Sequence, residues 1–367
     1  RSFCAVGNTV YMVGRSENST RANIYLRKFD GTTGEIISDI ILGDEGKIAF
    51  YPANSVVKDS KGNICIANLS LNIKSTPIVL HQVDLETGEL THVASVKYSS
   101  SSSRCDHITL TGDVESGNFT IYAAFSKAKV VVRWNFENGT QKSQEVCSLT
   151  LNPSSVTALG TAPRVILIDD NSFLVRGGDT EWARYNFSSG KVADSFNNNP
   201  DLKPIAGEAN GGTWFTLNNV NYFVYPYADW TDPIGHQFNI VKADADLSFK
   251  SMELMWTFPK DGMGNIESTT FQADADYVQT DAGRVMLYVF VPGNGLCAYE
   301  IVDASASGIE GVAIDSDAVE VARYDIHGRL LTQPTSGINI IKMSDGTTKK
   351  IFVKYTVQLY DKGYSVY

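Results

Sequence analysis

The fold is decided by a phrase that recurs along the chain, and residues 78–90, IVLHQVDLETGEL, give its clearest form. An alternating apolar stretch ends at Asp84, and a short turn closing at Gly88 leads into a second strand. Alternation with a period of two predicts a half-buried β-strand. An Asx residue followed four positions later by glycine is typical of a hairpin turn. The phrase therefore predicts two antiparallel strands joined by a tight turn.

Five further stretches share this form, an alternating strand that ends on Asp or Asn before a Gly- or Ser-bearing turn: residues 24–36, 130–142, 182–192, 238–249 and 297–308. The Asx anchors of the six copies lie 54, 51, 51, 58 and 59 residues apart, at Asp30, Asp84, Asn135, Asn186, Asp244 and Asp303. A unit that recurs at intervals of about 50 residues indicates a repeat architecture.

Another strand pair precedes the anchored one, most clearly in residues 54–70, NSVVKDSKGNICIANLS, where Asp59, Gly62 and Asn63 form the turn. Weaker copies occupy residues 2–14, 164–178 and 277–291. Four antiparallel strands per unit and no helical pattern are typical of a propeller blade. The sequence therefore predicts an all-β fold, a six-bladed β-propeller of four-stranded antiparallel blades over residues 1–303. A β-sandwich or a β-solenoid is the alternative, but sandwich strands do not recur as four-strand units.

The composition and charge of the chain limit the classes of function that it can have. The 367 residues are 43% hydrophobic and 20% charged, which is typical of a globular chain. A net charge of −10 argues against nucleic acid and anionic lipid as partners. No apolar run approaches the ~18 residues of a membrane span, so none is predicted. The five cysteines are scattered without a CxxC motif, so we expect buried thiols rather than a zinc or redox site, with one disulfide left open.

Residues 59–68, DSKGNICIAN, resemble the blades of bacterial propellers of the NHL and quinoprotein-like type. This resemblance covers about ten residues per blade. It implies an architecture and no particular chemistry.

The chain changes character after Asp303. Residues 304–320 are small and acidic and predict a linker, and residues 321–354 then carry a strand pattern of their own. Three short strands are expected there, as a β-meander too small to be stable alone. Residues 355–367 form a tail to which the sequence assigns no role.

The pieces Tyr324-Asp325, Gly328-Arg329, Gly337 to Lys342, Asp345-Gly346 and Lys349 to Lys354 follow one another in this closing region. In order and spacing they resemble the C-terminal sorting module of proteins that Bacteroidetes secrete through the type IX system. The resemblance implies that residues 321–354 engage the secretion machinery. It also implies a location outside the cell or on its outer surface, after removal of a signal peptide that this chain does not contain.

This chain departs from that module in two ways. Residues 355–367 follow the matching region, and the matching region is shorter than a full sandwich of that type. A generic closing hairpin is the alternative. As a whole the chain resembles uncharacterised secreted propellers of gut Bacteroidetes, a group associated with host or dietary glycans.

A propeller gathers functional groups on one face, from the loops before each innermost strand and those between the second and third strands. This rule predicts eleven ligand-binding residues: Tyr51, Arg104, Asp106, His107, Arg164, Arg176, Trp182, Glu208, Trp230, His236 and Glu267. Arginine forks bind carboxylates and tryptophan stacks on sugar rings. We therefore expect an acidic glycan as ligand, or a surface protein, although each residue could instead be a solvated loop position or a local salt bridge.

Catalysis is the alternative function, as a glycan-active hydrolase or lyase, and no catalytic residue is assigned. Six-bladed sialidases need arginines, a tyrosine and acids, but the S-x-D-x-G-x-x-W boxes that mark their blades are absent. A lactonase-like calcium site is left open through Asn54, Asn68, Glu208 and Glu267. No other cofactor or metal is expected. Two acids facing across an open pocket would favour an enzyme, whereas acids neutralised by arginines would favour binding.

Overall fold

The computed structural model describes residues 2–15, 24–43, 53–151, 153–202, 210–227, 235–244, 247–266, 273–281, 283–302, 319–325, 328–332, 337–344, 346, 348–353 and 358–359. These residues form β-strands and three single 3-10 turns, Phe196–Asn198, Pro200–Leu202 and Phe249–Ser251. None of the helical turns in these ranges has the length and apolar character needed to cross a membrane.

Four-stranded antiparallel sheets follow one another along the chain. The first three contain β1 (Phe3–Val6), β2 (Thr9–Arg15), β3 (Ile24–Asp30), β4 (Ile36–Ile41), β5 (Ser55–Lys58), β6 (Ile64–Ala67), β7 (Ile78–Val83), β8 (Leu90–Val96), β9 (Ile108–Asp113), β10 (Asn118–Ala124), β11 (Val130–Glu137) and β12 (Thr140–Ser148). The next three contain β13 (Arg164–Leu167), β14 (Ser172–Arg176), β15 (Ala183–Asn186), β16 (Val192–Ser195), β17 (Thr213–Leu217), β18 (Val220–Pro226), β19 (Phe238–Ala243), β20 (Glu253–Phe258), β21 (Asp274–Asp281), β22 (Arg284–Val291) and β23 (Gly295–Val302).

These six sheets are the blades of a closed ring. The first strands of the blades, β1, β5, β9, β13, β17 and β21, each contact the next, and β21 contacts β1. The predicted six-bladed propeller is therefore confirmed, with the first strand of each blade innermost.

Buried apolar side chains form six clusters, one at each junction between neighbouring blades. All five cysteines are free and buried, as the sequence predicts, and the disulfide that it left open is not formed. Burial raises the pKa of the Cys65 thiol to about 12 and that of Cys147 to about 11.

Polar contacts also join every pair of neighbouring blades, close to the innermost strands. They run from Val56 N to Ser2 Oγ (3.1 Å), Asn54 Nδ2 to Asp106 O (2.7 Å), Thr109 Oγ1 to Val165 O (2.6 Å), Asn210 Nδ2 to Thr161 O (2.8 Å), Gly211 N to Ala273 O (3.0 Å) and Ala5 N to Asp276 Oδ2 (2.8 Å). These bonds satisfy backbone groups at the blade junctions, where an unpaired buried group would be costly.

The Asx anchors act as the sequence predicts at Asp30 and Asp84, which accept hydrogen bonds from backbone N–H groups two and three residues ahead at 2.7–2.8 Å. These N–H groups hold the pKa of both carboxyls below its usual value. Asn135 behaves differently, because its side chain bonds across the sheet to Ser143 and Glu145. Its hairpin turns instead at Asn138-Gly139, both with positive φ.

A separate sheet follows the propeller and contains β24 (Glu320–Tyr324), β25 (Leu330–Leu331), β26 (Gly337–Met343) and β27 (Thr348–Val353). The three predicted strands match β24, β26 and β27. The sheet is not a simple meander, because β24 lies between β25 and β26. Most of the predicted linker, residues 304–318, lies outside the described residues. The predicted tail supplies β28 (Gln358–Leu359), which pairs with Leu296 and Cys297 as the fourth strand of blade six.

Candidate ligand-binding face

The candidate site is the face of the ring at which the innermost strands begin. Every blade starts with its innermost strand and alternates direction thereafter. The loops before the first strands therefore share one face with the loops between second and third strands, and we call this face the mouth. Arg164 and Asp274 begin β13 and β21 and so lie at the mouth.

Arg104 and Asp106 form an ion pair just before β9. The Arg104 Nε lies 2.9 Å from both oxygens of the Asp106 carboxylate, and its Nη2 also donates to Oδ1. The Asp106 side chain is 1% exposed and that of Arg104 is 42% exposed. The carboxylate is thus buried beneath a guanidinium that reaches the surface. Charge-assisted, two-pronged pairs of this kind fix the orientation of the arginine.

Arg164 and Asp274 form a second ion pair, which crosses the ring. The Arg164 Nη2 donates to Asp274 Oδ2, and β17 of the intervening blade separates their strands in the ring. Their side chains are 12% and 10% exposed. Burial raises the pKa of Asp274, while Arg164 and the N–H groups of Ala275 and Gly212 act to lower it.

Arg176 is the cross-strand neighbour of Arg164. It ends β14, the two residues are paired in the register of β13 and β14, and Arg176 is 4% exposed. Directly opposite residues have Cβ atoms about 4.5–5.5 Å apart, and like charges there repel. The carboxylate of Asp274 therefore offsets part of the positive charge where these two arginines lie side by side.

A third ion pair, which also crosses the ring, was not predicted. The Lys58 Nζ, at the end of β5, lies 2.9 Å from the nearer carboxylate oxygen of Asp276 and 2.8 Å from the carbonyl oxygens of Ala5 and Tyr277. Asp274 and Asp276 are two residues apart on one strand, so they share a face. Asp residues are depleted in strands. The sequence Asp274-Ala275-Asp276, directly before the predicted strand that begins at residue 277, was the signal that could have identified this pair.

Besides Asp106 and Arg176, three predicted site residues are buried in the structure. Trp182 is 0% exposed and packs edge-on against Phe223 at 5.2 Å between their ring centroids. The prediction that Trp182 stacks on a sugar is therefore wrong, because its ring belongs to the core between blades four and five. His107 and His236 are 4% exposed, so neither presents its ring to a ligand in solution.

Tyr51, Glu208, Trp230 and Glu267 lie outside the described residues. Two of them belong to the calcium site that the sequence left open, together with Asn54 and Asn68. The Asn68 amide is used internally, since its Oδ1 accepts from Val79 N at 2.6 Å and its Nδ2 donates to Pro77 O at 3.1 Å. Within the described ranges no three His, Cys, Asp or Glu side chains converge as a metal site would require.

At the described part of the mouth, arginines neutralise the charge of two carboxylates. Asp106 and Asp274 are each engaged by an arginine. Glycosidases use two carboxylic groups that face each other across space for substrate or water. Asp106 and Asp274 do not have this arrangement, because each is held by an arginine. Buried anions under arginine are suited to holding guanidinium groups in place.

The fold is also found in known structures. A DUF4623 family protein from Bacteroides eggerthii is similar with a TM-score of 0.62 and 17% identity, over 82% of this chain and 70% of that one. Kuenenia stuttgartiensis hydrazine synthase has a TM-score of 0.40 at 10% identity, over 96% and 94%. A triple arginine-to-alanine mutant of AofleA from Arthrobotrys oligospora has 0.44 at 12%, over 82% of each chain. The first likeness shows the fold alone, and the other two are too remote to inform function.

No protein-family model matches the sequence. No curated protein matches it either. Inferences about function therefore rest on the residues of the mouth.

Proposed function

We propose that this protein is a secreted or surface-displayed binding propeller whose mouth holds an anionic ligand, most simply a carboxylate-bearing sugar, without transforming it. The carrying observation is the Arg104–Asp106 pair, in which a buried carboxylate fixes a guanidinium whose side chain is 42% exposed. An arginine held in this way loses little further freedom when it binds an anion.

The expected contribution of such an arginine is measurable. Hydrogen bonds to charged groups contribute about 1.5–3 kcal/mol. Loss of one therefore weakens binding by roughly ten- to a hundredfold. Arg164 and Arg176, cross-strand neighbours in blade four, lie at the same face.

Binding is favoured over hydrolysis because Asp106 and Asp274 are already paired with arginines. A general acid needs a raised pKa and an open approach to the substrate. Asp106 is 1% exposed beneath Arg104, and Asp274 is 10% exposed beneath Arg164. Neither acid is placed to donate a proton to a ligand in the mouth.

The test is a thermal-shift and calorimetric comparison of neutral sugars, sialic acid and uronic-acid oligosaccharides. A ligand at 100 times its dissociation constant stabilises the folded protein by about 2.7 kcal/mol, which should raise the unfolding midpoint by a degree or more. We expect acidic sugars alone to do so. Stabilisation by neutral sugars to the same extent, or by no sugar, would contradict an anion-binding mouth.

Arg104→Lys is the informative variant, because it keeps the charge next to Asp106 and removes the fork. We expect a tenfold or greater rise in Kd for the acidic sugar, in line with the loss of one charged hydrogen bond. Arg284→Lys is the matched control. That side chain is 47% exposed, bonds to Glu300, and begins β22 at the opposite face of the ring. Equal effects of the two variants would place the ligand elsewhere.

The external location is part of the proposal. It is supported by the resemblance of residues 321–354 to type IX sorting modules, and residues 319–353 include the separate sheet of β24–β27. A reporter with its own signal peptide, fused to residues 319–367, should be exported by a bacterium that has this system. A fusion with the same residues in scrambled order is the control. Equal retention of both reporters would refute the sorting role.

A further inference from the structure

The segment just before β9 is bonded to the loop between β6 and β7 of blade two. Ser70 and Cys105 exchange two backbone hydrogen bonds, of 2.8 and 3.1 Å, in an isolated antiparallel bridge. Ile73 N also donates to Ser103 O at 2.9 Å. The next residue of the loop, Lys74, is exposed. An exposed lysine of blade two is therefore held beside the segment that carries the exposed arginine of the mouth.

The other side of the same segment is bonded to the loop between β10 and β11 of blade three. Ser126 N donates to Arg104 O at 3.1 Å, and Lys127 N donates to Ser103 Oγ at 2.6 Å. Lys127 is exposed. Both flanking loops join second and third strands, so all three segments belong to the mouth. A second exposed lysine thus lies beside the arginine, on the side opposite to the first.

Three cationic side chains are collected on this bonded layer, which we call the basic ledge: residues 70–74, 103–106 and 126–127. The ledge has a net charge of +2, from three cations and the Asp106 carboxylate, whereas the whole chain has a net charge of −10. Neighbouring bonded segments lie about 4.8 Å apart, so the positive charge is spread over roughly 10 Å across two blades. Leu71, which is 50% exposed, adds apolar surface to the ledge.

The sign of the exposed charge changes toward blade four. The succession of bonded segments continues there, since Gly160 N donates to Ser126 O at 2.9 Å and Asp179 N donates to Leu159 O at 3.0 Å. Asp179 is exposed. A carboxylate at this position repels an anionic ligand that reaches past blade three. An extended anion on the ledge is therefore favoured to run from blade three toward blade two.

We propose that the basic ledge binds a linear acidic polysaccharide, with Lys74, Arg104 and Lys127 each contacting a different uronic-acid carboxylate of one chain. This inference rests on the proposed function, because Arg104 is common to both. A single carboxylate cannot contact three cations that are spread over roughly 10 Å, whereas a chain of acidic sugars can. Exposed ion pairs contribute little singly. Linked on one chain they act together, because the first contact raises the effective concentration of the others.

A length series of uronic-acid oligosaccharides tests the ledge by calorimetry, with chains of one, two, four and six sugars. We expect the four-sugar chain to bind about tenfold more tightly than the single sugar, with little further gain at six. The Kd of the longer chains should also rise more steeply with salt, because they pair more charges. Equal affinity for all lengths would overturn the proposal.

Substitution of the two lysines tests where the chain lies. Lys74→Ala and Lys127→Ala should each raise the Kd of the four-sugar chain about two- to fivefold, as the loss of one exposed ion pair requires, with a smaller effect on the single sugar. Lys61→Ala is the matched control, because Lys61 is also exposed but lies in the turn between β5 and β6, at the opposite face of the ring. An equal effect of the control would overturn the proposal.

The outcomes separate this proposal from the proposed function. If chains of all lengths bind equally and only Arg104→Lys weakens them, the mouth binds an acidic sugar and the ledge does not bind a chain. If no acidic sugar binds, both proposals fail. Single-stranded DNA with the same number of charges is a further probe. Binding of this DNA with the affinity of the four-sugar chain would show attraction to any polyanion and would refute recognition of a polysaccharide.

Discussion

The cross-ring ion pair between Arg164 and Asp274 makes a quantitative prediction about stability. Both side chains are at least 88% buried, given exposed fractions of 12% and 10%. Removing one partner of a buried pair leaves an uncompensated charge and typically costs 3–5 kcal/mol. We expect Arg164→Met to destabilise by about 3 kcal/mol or more, and Asp274→Asn by less, because asparagine can still accept the N–H groups of Ala275 and Gly212.

Urea unfolding of both single variants and the double variant gives the coupling energy of the pair. We expect about 2 kcal/mol of coupling, so that the double variant is clearly more stable than the sum of the single effects predicts. The control is Arg284→Met, which removes a more exposed ion pair with Glu300 and should cost less than about 1 kcal/mol.

The pH dependence of stability provides an independent check on the Arg164–Asp274 pair. The pKa of Asp274 is raised by burial and lowered by Arg164, with a net rise. A carboxyl whose pKa is higher in the folded state than in the unfolded state loses stability as pH rises through that window. Without Arg164 the folded pKa rises further, so the deficit of Arg164→Met should shrink as pH falls through the range in which Asp274 becomes protonated. Additive effects of the two substitutions, with a deficit independent of pH, would refute this account of the pair.

Other parts of the molecule make further predictions. Asp59→Ala removes an acceptor that binds Val114 N and the Asn63 backbone and side chain, so thermal unfolding should show a loss of about 2 kcal/mol or more. Burial acts to raise the pKa of Asp59, but these bonds outweigh it and the net pKa is lowered. Its contribution should therefore be lost as pH falls below about 4. Lys58→Met should destabilise the ring, and Asp276→Asn added to it should cost little more, as a thermal double-mutant cycle would show. A thiol reagent should label none of the five buried cysteines rapidly in the folded protein and all five in denaturant.

Local patterns in the sequence were enough to predict the blades. Asp30 and Asp84 carry their turn signal within four residues, and the alternating strands before them place one face on each neighbouring blade. The same signal failed at Asn135, because its side chain found acceptors and donors across the sheet and the turn moved to Asn138-Gly139. Cross-strand neighbours of that kind are set by register, which the anchor pattern does not encode.

The site was predictable only in part, for a related reason. Topology identified Arg104 and Asp106 because both lie in the loop before an innermost strand, and it placed Arg164 at the same face. It could not select Asp274 as the partner of Arg164, since the pair is 110 residues apart and spans an intervening blade. Loop position alone also could not distinguish a stacking tryptophan from a core one, and Trp182 proved to be fully buried.

The contacts of Lys58 have a consequence for how the ring bears force. One ammonium group on blade two holds the Ala5 carbonyl of blade one and the Asp276 carboxylate of blade six. If the two ends of the propeller are pulled apart, blade one cannot peel from blade six until these bonds break. The load at the junction of the first and last blades is therefore shared by three blades through the ammonium group of one lysine.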